Sequence, residues 1–238
     1  MENLQNRKAI VTGGGRGLGK ATAIALANEG VDVAITGRNE ANLQATVKEL
    51  QAIGVKATYA VFDVVDRAAV QTAVEKLIQE LGGIDILINN AGIAEFGSFI
   101  DMEAARWEQI LMTNVMGVYN VTKVVLPHLI AKNSGDVVNV ASTAGLNGNP
   151  TTSAYSASKF ALIGMSESLM KEVRKNNIRV CTLIPSTIAS DMSVDLGLTD
   201  GNPDRVLQPE DFAELVVAGL KLPRRAMLKS ASLWSTNP

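Results

Sequence analysis

Cysteine and histidine are almost absent from this sequence, whose 238 residues include one of each, Cys181 and His128. A single cysteine cannot form an internal disulfide, so we expect a reducing, cytoplasmic setting. One histidine and one cysteine also leave no cluster of the ligands that zinc prefers, and the sequence therefore predicts no metal site.

The sequence also has no large excess of positive or negative charge and no long run of apolar residues. The formal net charge is −2, whereas a protein that binds nucleic acid usually has a basic surface. The longest apolar stretches are far shorter than the ~20 residues that a membrane-spanning helix needs, and the N-terminus has no basic-then-apolar signal sequence. We therefore expect neither a nucleic-acid nor a membrane partner, and the length favours one large domain over residues 1–238.

What the sequence does contain is a regular alternation of β-branched runs and helical patterns. Strands are predicted at residues 8–12, 31–36, 56–62, 84–89, 136–141, 178–184 and 226–230. Helices are predicted at residues 17–29, 40–53, 67–81, 104–131, 154–175 and 210–220. Strands that are apolar on both faces and separated by amphipathic helices predict an α/β protein, a single-domain Rossmann-type, doubly wound parallel sheet flanked by helices. Ligands of such a sheet bind beyond the carboxyl ends of its strands.

A glycine-rich turn, T-G-G-G-R-G-L-G, follows the first predicted strand. It does not match the pattern G-x-G-x-x-G, but it fits T-G-x-x-x-G-x-G with Gly13, Gly17 and Gly19 at the fixed positions. Glycines permit a tight turn and close approach of the backbone, and the start of the following helix can bind a pyrophosphate. The turn predicts a dinucleotide cofactor, and an ordinary glycine-rich loop is the alternative.

The end of the second predicted strand indicates which dinucleotide is bound. An enzyme that uses NAD usually has Asp or Glu there to bind the ribose 2′-hydroxyl, whereas an arginine accommodates a 2′-phosphate. Here Gly37 occupies the acidic position, Arg38 follows it, and Arg16 adds a second guanidinium. We predict NADP(H) as the cofactor, and two surface arginines without a ligand are the alternative.

The stretch Y-S-A-S-K places Tyr155 and Lys159 one helical turn apart on the same face. A nearby ammonium group favours the phenolate, so we expect Lys159 to lower the pKa of Tyr155. A tyrosine with a lowered pKa can donate or accept a proton near neutral pH. The spacing alone is common on helices, and its meaning depends on what accompanies it.

Four features occur in order along the chain: the glycine turn at residues 12–19, the stretch N-N-A-G at residues 89–92, Ser142, and Tyr155 with Lys159. Together they resemble the short-chain dehydrogenase/reductase family over about residues 8–192, and the first two thirds are similar to its bacterial 3-oxoacyl-[acyl-carrier-protein] reductases of fatty acid biosynthesis. The resemblance implies an NADPH-dependent enzyme that reduces the carbonyl of a 3-oxoacyl thioester, with small ketones and diketones as alternative substrates. It also implies a homo-dimer or homo-tetramer.

The resemblance implies a role for each matching side chain. Tyr155 would act as the general acid, Ser142 would orient the carbonyl, and Lys159 would hydrogen-bond the nicotinamide ribose. Asn114 would help to hold a water in the proton relay, with a buried polar break in a helix as the alternative. Asp63 would bind the adenine. The complete set of cofactor residues implied is Gly13, Gly15, Arg16, Gly17, Leu18, Gly19, Arg38, Asp63, Val64, Asn90, Ala91, Gly92, Tyr155, Lys159, Pro185, Ile188 and Ser190.

The sequence departs from the family after the sixth strand and at its end. Ser186 follows Pro185 where the family usually has glycine, and the last 13 residues, from 226 to 238, lack the usual glycine-containing strand. Residues 191–207 resemble a mobile substrate lid. Trp234 is expected to pack against a partner subunit or within its own chain.

Two other classes of function are weighed against a reductase. A serine hydrolase is disfavoured because no G-x-S-x-G occurs and His128 is expected at the surface. A non-catalytic NADP(H)-binding sensor or scaffold would usually have lost the tyrosine or the lysine. Basic residues that an acyl-carrier protein could contact beside the entrance are Lys132, Arg174 and Lys175.

Overall fold

Seven parallel strands form the centre of the computed structural model, which describes residues 1–236. The strands are β1 (Lys8–Thr12), β2 (Asp32–Gly37), β3 (Ala57–Val61), β4 (Ile86–Asn89), β5 (Gly135–Val140), β6 (Ile178–Pro185) and β7 (Ser230–Leu233). Their order across the sheet is β3-β2-β1-β4-β5-β6-β7. The predicted domain extends to residue 238, and Asn237 and Pro238 lie outside the described residues.

Helices connect the strands and cover both faces of the sheet. They are α1 (Gly17–Asn28), α2 (Glu40–Ile53), α3 (Arg67–Leu81), α4 (Ala104–Leu111), α5 (Gly117–Lys132), α6 (Ser153–Val173), α7 (Asp191–Asp195) and α8 (Pro209–Leu220). A π-helical turn, Met112–Met116, joins α4 to α5, and short 3₁₀ turns occupy Thr143–Gly145 and Arg174–Asn176. Within residues 1–236, no helix combines the length and the apolar character needed to cross a bilayer.

Each face of the sheet packs into its own hydrophobic cluster, which is why the strands are continuous runs of apolar residues. Leu26 of α1, Leu43 of α2 and Phe212 of α8 belong to one cluster. Val70 of α3 and Val121 of α5 belong to the other. A parallel sheet is buried on both faces because its crossover helices pack there. The predicted Rossmann-type, doubly wound α/β fold is confirmed.

Chain direction across the sheet reverses between β1 and β4. From β1 the chain builds outward to β2 and β3, and it then returns to place β4 on the other side of β1. A crevice opens at such a reversal, beyond the carboxyl ends of the strands, because the loops diverge to opposite faces.

Most element bounds agree with the prediction to within two residues, and three elements differ. Helix α7, Asp191–Asp195, was not predicted. The helix predicted over residues 104–131 is interrupted by the π turn at Met112–Met116. The last strand was predicted at 226–230, which is wrong, because the strand is Ser230–Leu233 and pairs with β6 from Thr182 to Pro185. Pairing with β6 selects those residues, Ser-Ala-Ser-Leu, which include no β-branched or aromatic side chain and so carry only a weak strand signal.

A buried cluster of charged side chains holds the C-terminal segment at the amino-terminal ends of the strands. Asp136 on β5 accepts hydrogen bonds from Arg179 Nε (2.5 Å) and Arg224 Nη1 (2.8 Å). The Arg179 guanidinium also donates to the carbonyls of Leu220 and Leu222, which are at the end of α8. Asp136 therefore orients Arg179, and the Arg179 guanidinium donates hydrogen bonds to carbonyl groups that have no partner within the helix.

We expect Asp136→Asn to destabilise the protein by about 3–5 kcal/mol, because it leaves the buried Arg179 guanidinium without a counter-charge. Urea unfolding followed by circular dichroism measures this difference. Glu108→Gln is the matched control, since it removes a carboxylate from an exposed position on α4. A loss below about 1 kcal/mol, the value typical of an exposed ion pair, would contradict a structural role for the cluster.

Candidate active site

A large cleft lies beyond the carboxyl ends of the strands, with a volume of about 880 Å³. It brings together residues that are far apart in sequence, from the glycine turn to Ser190. Of the predicted site residues, all line this cleft except Gly19 and Asn114. Those two lie directly behind its wall, as the contacts below show.

The glycine turn has the backbone geometry that its sequence predicts. Gly13 has a φ of +67°, a region that L-residues with a side chain rarely adopt. A Cβ atom on Gly19 would lie 2.2 Å from the Gly13 carbonyl oxygen, so only glycine allows this approach. Helix α1 starts at Gly17, and no side chain caps its first amide groups. Free N–H groups at a helix start are suited to bind a phosphate.

Thr12 joins the glycine turn to the segment after β4, a role that the sequence did not reveal. Its hydroxyl accepts hydrogen bonds from the amides of Asn90 and Ala91, each 3.0 Å long. The Asn90 side chain returns a hydrogen bond to the Thr12 carbonyl oxygen at 2.9 Å. The only sequence signal for this contact is the threonine of the T-G-x-x-x-G-x-G pattern. Asn90 thus lines the cleft and also fixes the turn opposite it.

The two predicted guanidinium groups both border the cleft, and each is paired with a carboxylate. Arg38 Nη1 lies 3.6 Å from Asp63, and Arg16 Nη1 lies 3.4 Å from Asp191 on α7. Both arginine side chains are more than 60% exposed, so both are accessible to a ligand. The pair at Arg38 and Asp63 places a cation and a carboxylate together at the ends of β2 and β3.

Asn114 lies in the π turn and is buried behind the cleft wall. Its Oδ1 accepts from the amide of Ile93, and its Nδ2 donates to the carbonyl of the same residue, both at 2.9 Å. Nδ2 also donates to the Ser158 hydroxyl on α6 at 3.0 Å. The side chain therefore connects the segment after β4 to the helix that carries Tyr155. π turns occur frequently at functional sites.

Tyr155, Lys159 and Ser142 meet at the centre of the cleft. The Lys159 ammonium lies 5.6 Å from the centre of the Tyr155 ring and donates to the Val140 carbonyl at 2.8 Å. Ser142 follows β5 and lines the cleft together with Tyr155. The helical spacing predicted for Tyr155 and Lys159 is present, because both belong to α6.

Burial dominates the ionisation of both groups. It raises the pKa of Tyr155, although the hydrogen bond with Ser142 acts in the opposite direction. Burial also lowers the pKa of Lys159 to about 8. The prediction that Lys159 lowers the pKa of Tyr155 is therefore wrong for this arrangement, since removal from water disfavours the phenolate more strongly than its neighbours favour it. Tyr155 remains a protonated phenol at neutral pH.

Hydrogen bonds hold the segment that follows β6 in place. Ser186, which departs from the family pattern, is not among the described residues with positive φ, and its amide donates to the Leu233 carbonyl at 2.8 Å. Ala189 N donates to the Leu207 carbonyl at 2.7 Å. The Ser190 hydroxyl caps α7 by accepting from the amide of Ser193. Serine at 186 thus fits the backbone without strain.

The three basic residues that were expected beside the entrance, and the single histidine, all lie away from the cleft. Lys132 contacts Asp85, which precedes β4, and Arg174 and Lys175 precede β6. All three lie at the amino-terminal ends of the strands, opposite the cleft, so the expectation that they border the entrance of the cleft is wrong. His128 lies near Glu75, at 3.1 Å, between α5 and α3 and away from the cleft.

Trp234 was expected to be covered, and within this chain it is 59% exposed. The residue before it, Leu233, packs against the hydrophobic core instead. Trp234 follows the last residue of β7, which is an edge strand of the sheet.

Comparisons with known proteins agree with this geometry. The family model described as short chain dehydrogenase matches residues 7–200. The chain is 37% identical over 221 residues to a 3-oxoacyl-[acyl-carrier-protein] reductase of Thermotoga maritima, covering 90% of each protein.

Two solved structures show the same fold. An alcohol dehydrogenase from Thermococcus sibiricus complexed with 5-hydroxy-NADP superimposes with a TM-score of 0.90 at 26% identity, covering 98% of this chain and 97% of the other. An NAD⁺-bound xylitol dehydrogenase gives a TM-score of 0.88 at 27% identity, covering 98% and 99%. One neighbour holds an NADP derivative and the other NAD⁺. The match to the family model spans most of the chain, and the protein belongs to the short-chain dehydrogenase/reductase family of oxidoreductases.

Proposed function

We propose that this protein is an NADPH-dependent reductase that acts on the carbonyl of a 3-oxoacyl thioester. The observation that carries the proposal is that Ser142, Tyr155 and Lys159 line one cleft large enough for a dinucleotide, with the Lys159 ammonium 5.6 Å from the centre of the Tyr155 ring. The similarity to a 3-oxoacyl-[acyl-carrier-protein] reductase supports the substrate class. A hydrolase would need an activated serine, whereas Ser142 faces a phenol and not a base.

The residues of the cleft fit a dinucleotide phosphate. The uncapped start of α1 would bind the pyrophosphate, and Arg38 would bind the 2′-phosphate. Asp63, with Val64 beside it, would bind the adenine, and Lys159 would contact the nicotinamide ribose. When bound, the cofactor supplies the hydride. The other proposed binding residues are Gly13, Gly15, Arg16, Gly17, Leu18, Gly19, Asn90, Ala91, Gly92, Tyr155, Pro185, Ile188 and Ser190.

Tyr155 would act as the general acid in the reductive direction. A phenol that stays protonated at neutral pH can donate its proton to the oxygen of a carbonyl as that oxygen becomes an alcohol. Ser142 would hydrogen-bond the same oxygen and hold it beside the phenol. Lys159, held by the Val140 carbonyl, would stabilise the phenolate that remains. Asn114 would act as a positioning residue, because it fixes Ile93 and Ser158 on either side of the site.

Small ketones and diketones are the second candidate substrates, and the charge around the cleft favours them. Residues 93–106 and 190–205 contribute in part to the cleft wall and contain seven carboxylates, of which Asp191 lines the cleft itself: Glu95, Asp101, Glu103, Asp191, Asp195, Asp200 and Asp204. The guanidinium groups in or near the same wall are four, namely Arg16, Arg38, Arg106 and Arg205. Like charges facing each other across an interface oppose association, so this border disfavours an acidic carrier protein. A free thioester or a small ketone meets no such repulsion.

Assembly, location and domain structure are also proposals. Exposed apolar side chains on or near α4, α5 and α6 support a homo-oligomer, namely Phe99, Ile100, Met112, Tyr119 and Phe160. We propose a dimer or tetramer in the cytoplasm, built from one nucleotide-binding domain per chain. In that domain residues 191–207 would act as a lid, which Asp191 connects to the glycine turn through Arg16.

We expect Tyr155→Phe to lower kcat by at least about 10²-fold, because general acid catalysis typically contributes that much. NADPH should bind the variant as tightly as it binds the wild-type enzyme, which fluorescence titration measures. Surviving turnover would contradict the proposed role of the phenol. Binding of NADPH without any turnover by the wild-type enzyme would indicate a sensor or scaffold instead.

We expect Arg38→Asp to weaken NADPH binding by about 10–100-fold and to leave NADH binding almost unchanged, because a charged hydrogen bond to phosphate is worth roughly 1.5–3 kcal/mol. Titration of both nucleotides measures the preference. Arg67→Asp is the matched control, since Arg67 is exposed at the start of α3. An unchanged ratio of the two dissociation constants would overturn the assignment of NADP(H).

The substrate is tested by comparing kcat/KM for acetoacetyl-carrier protein, an acetoacetyl thioester surrogate and diacetyl. A 3-oxoacyl reductase should turn over the thioesters faster than diacetyl. If the acidic border matters, the free thioester should exceed the carrier-bound one at low salt, and about 0.5 M salt should reduce the difference by screening. Turnover of diacetyl alone would assign the enzyme to small carbonyl compounds.

A further inference from the structure

One strained residue lies in the cleft wall. Among residues 1–236, four residues other than glycine have a positive φ, and three of them are asparagines: Asn6, Asn133 and Asn177. The fourth is Thr151, with a φ of +67°. Asparagine tolerates this left-handed region, whereas a β-branched residue there is an outlier.

The strain belongs to a tight turn of residues 149–152. Pro150 occupies its second position, and the Thr152 amide donates to the Asn149 carbonyl at 3.2 Å, so Thr151 is at the third position. A turn with proline second and positive φ third is type II, in which the third residue is usually glycine. The Thr152 hydroxyl reinforces the turn, because it donates to Asn149 O at 2.8 Å and accepts from Asn149 N at 3.1 Å.

The turn also supports the wall beside the proposed general acid. The carbonyl of Thr151 accepts a hydrogen bond from the Gly97 amide at 2.9 Å. The preceding residue, Phe96, meets the Tyr155 ring edge-on, with centroids 6.0 Å apart and an interplanar angle of 61°. Thr151, Phe96 and Tyr155 all line the cleft, and Thr151 is exposed there.

Glycine at position 151 would keep every one of these contacts. The bond to Gly97 and the bonds that close the turn use backbone atoms of residue 151 or atoms of other residues, and glycine would remove the strain. What threonine adds is its side chain, whose hydroxyl has no hydrogen-bond partner within the described part of the chain. Strained residues that the surrounding structure maintains tend to occur at ligand sites.

We propose that Thr151 is a specificity-determining residue whose hydroxyl binds the second carbonyl oxygen of a 3-oxo substrate. Ser142 and Tyr155 would bind the oxygen that is reduced, and the neighbouring carbonyl of a 1,3-dicarbonyl compound then needs its own donor. Thr151, which lines the same cleft, supplies that donor. This assignment rests on the proposed function, since it names the part of the substrate that the same site distinguishes.

The test compares an acetoacetyl thioester and ethyl acetoacetate, which have a second carbonyl, with 2-pentanone, which lacks it. The measured quantity is the ratio of kcat/KM for each 3-oxo compound to that for 2-pentanone. We expect Thr151→Val to lower this ratio by about tenfold, as the loss of one hydrogen bond does. Thr151→Ser should preserve the ratio, because it retains the hydroxyl.

Thr151→Gly adds a readout that is independent of catalysis. It should lower the ratio as Thr151→Val does, but it should also raise the melting temperature by about 2–4 °C, because the strain is relieved. Thr151→Val remains β-branched and should not raise it. Asn133→Gly is the matched control at a left-handed position after α5, and it should leave the ratio unchanged.

The outcomes separate this inference from the proposed function. A wild-type enzyme that reduces none of the three compounds overturns the proposed function, and this assignment falls with it. A wild-type enzyme that reduces them while Thr151→Val and Thr151→Gly keep the wild-type ratio overturns the role of Thr151 alone. An unchanged melting temperature for Thr151→Gly would show that position 151 is not strained, and the reason for assigning it a ligand would be lost.

Discussion

The hydroxyl of Thr12 accepts hydrogen bonds from the amides of Asn90 and Ala91, and this contact joins the ends of β1 and β4. These two strands mark the reversal of strand order, where the loops diverge and a crevice opens. The glycine turn lies on one side of the crevice and the N-N-A-G stretch on the other. Because the close approach of Gly19 to Gly13 leaves no space for a side chain, the geometry of the turn is set within narrow limits. The rest of the site is built outward from this point.

Buried polar groups then determine where the proposed catalytic residues lie. Asn114 is fixed by three hydrogen bonds to Ile93 and Ser158, and Lys159 is fixed by the Val140 carbonyl. Each bond satisfies a group that would otherwise be costly to bury. The same burial raises the pKa of Tyr155. A phenol with a raised pKa stays protonated at neutral pH.

The amino-terminal ends and the carboxyl-terminal ends of the strands serve different purposes. At the amino-terminal ends, Asp136 and its arginines hold the end of α8 in place, and no group there faces the cleft. At the carboxyl-terminal ends the backbone at Thr151 is strained, and the amide of Gly97 and the side chain of Thr152 maintain it. A fold can maintain a strained residue near its ligand because stabilising contacts elsewhere outweigh the cost. The separation of the two ends explains why Lys132 cannot border the entrance, although it is basic and near a helix end.

The sequence by itself determined the fold class, six of the seven strands, and the residues that meet in the cleft. Apolar runs of β-branched residues identify buried parallel strands, and the order of glycine turn, N-N-A-G, serine, tyrosine and lysine needs no coordinates to be recognised. Only the tertiary structure decided the position of β7, which depends on pairing with β6. It also decided the direction of the pKa shift of Tyr155, the partners of Asn114 and the strain at Thr151. Desolvation, long-range hydrogen bonds and backbone angles depend on which residues surround a group, and a linear pattern does not contain that information.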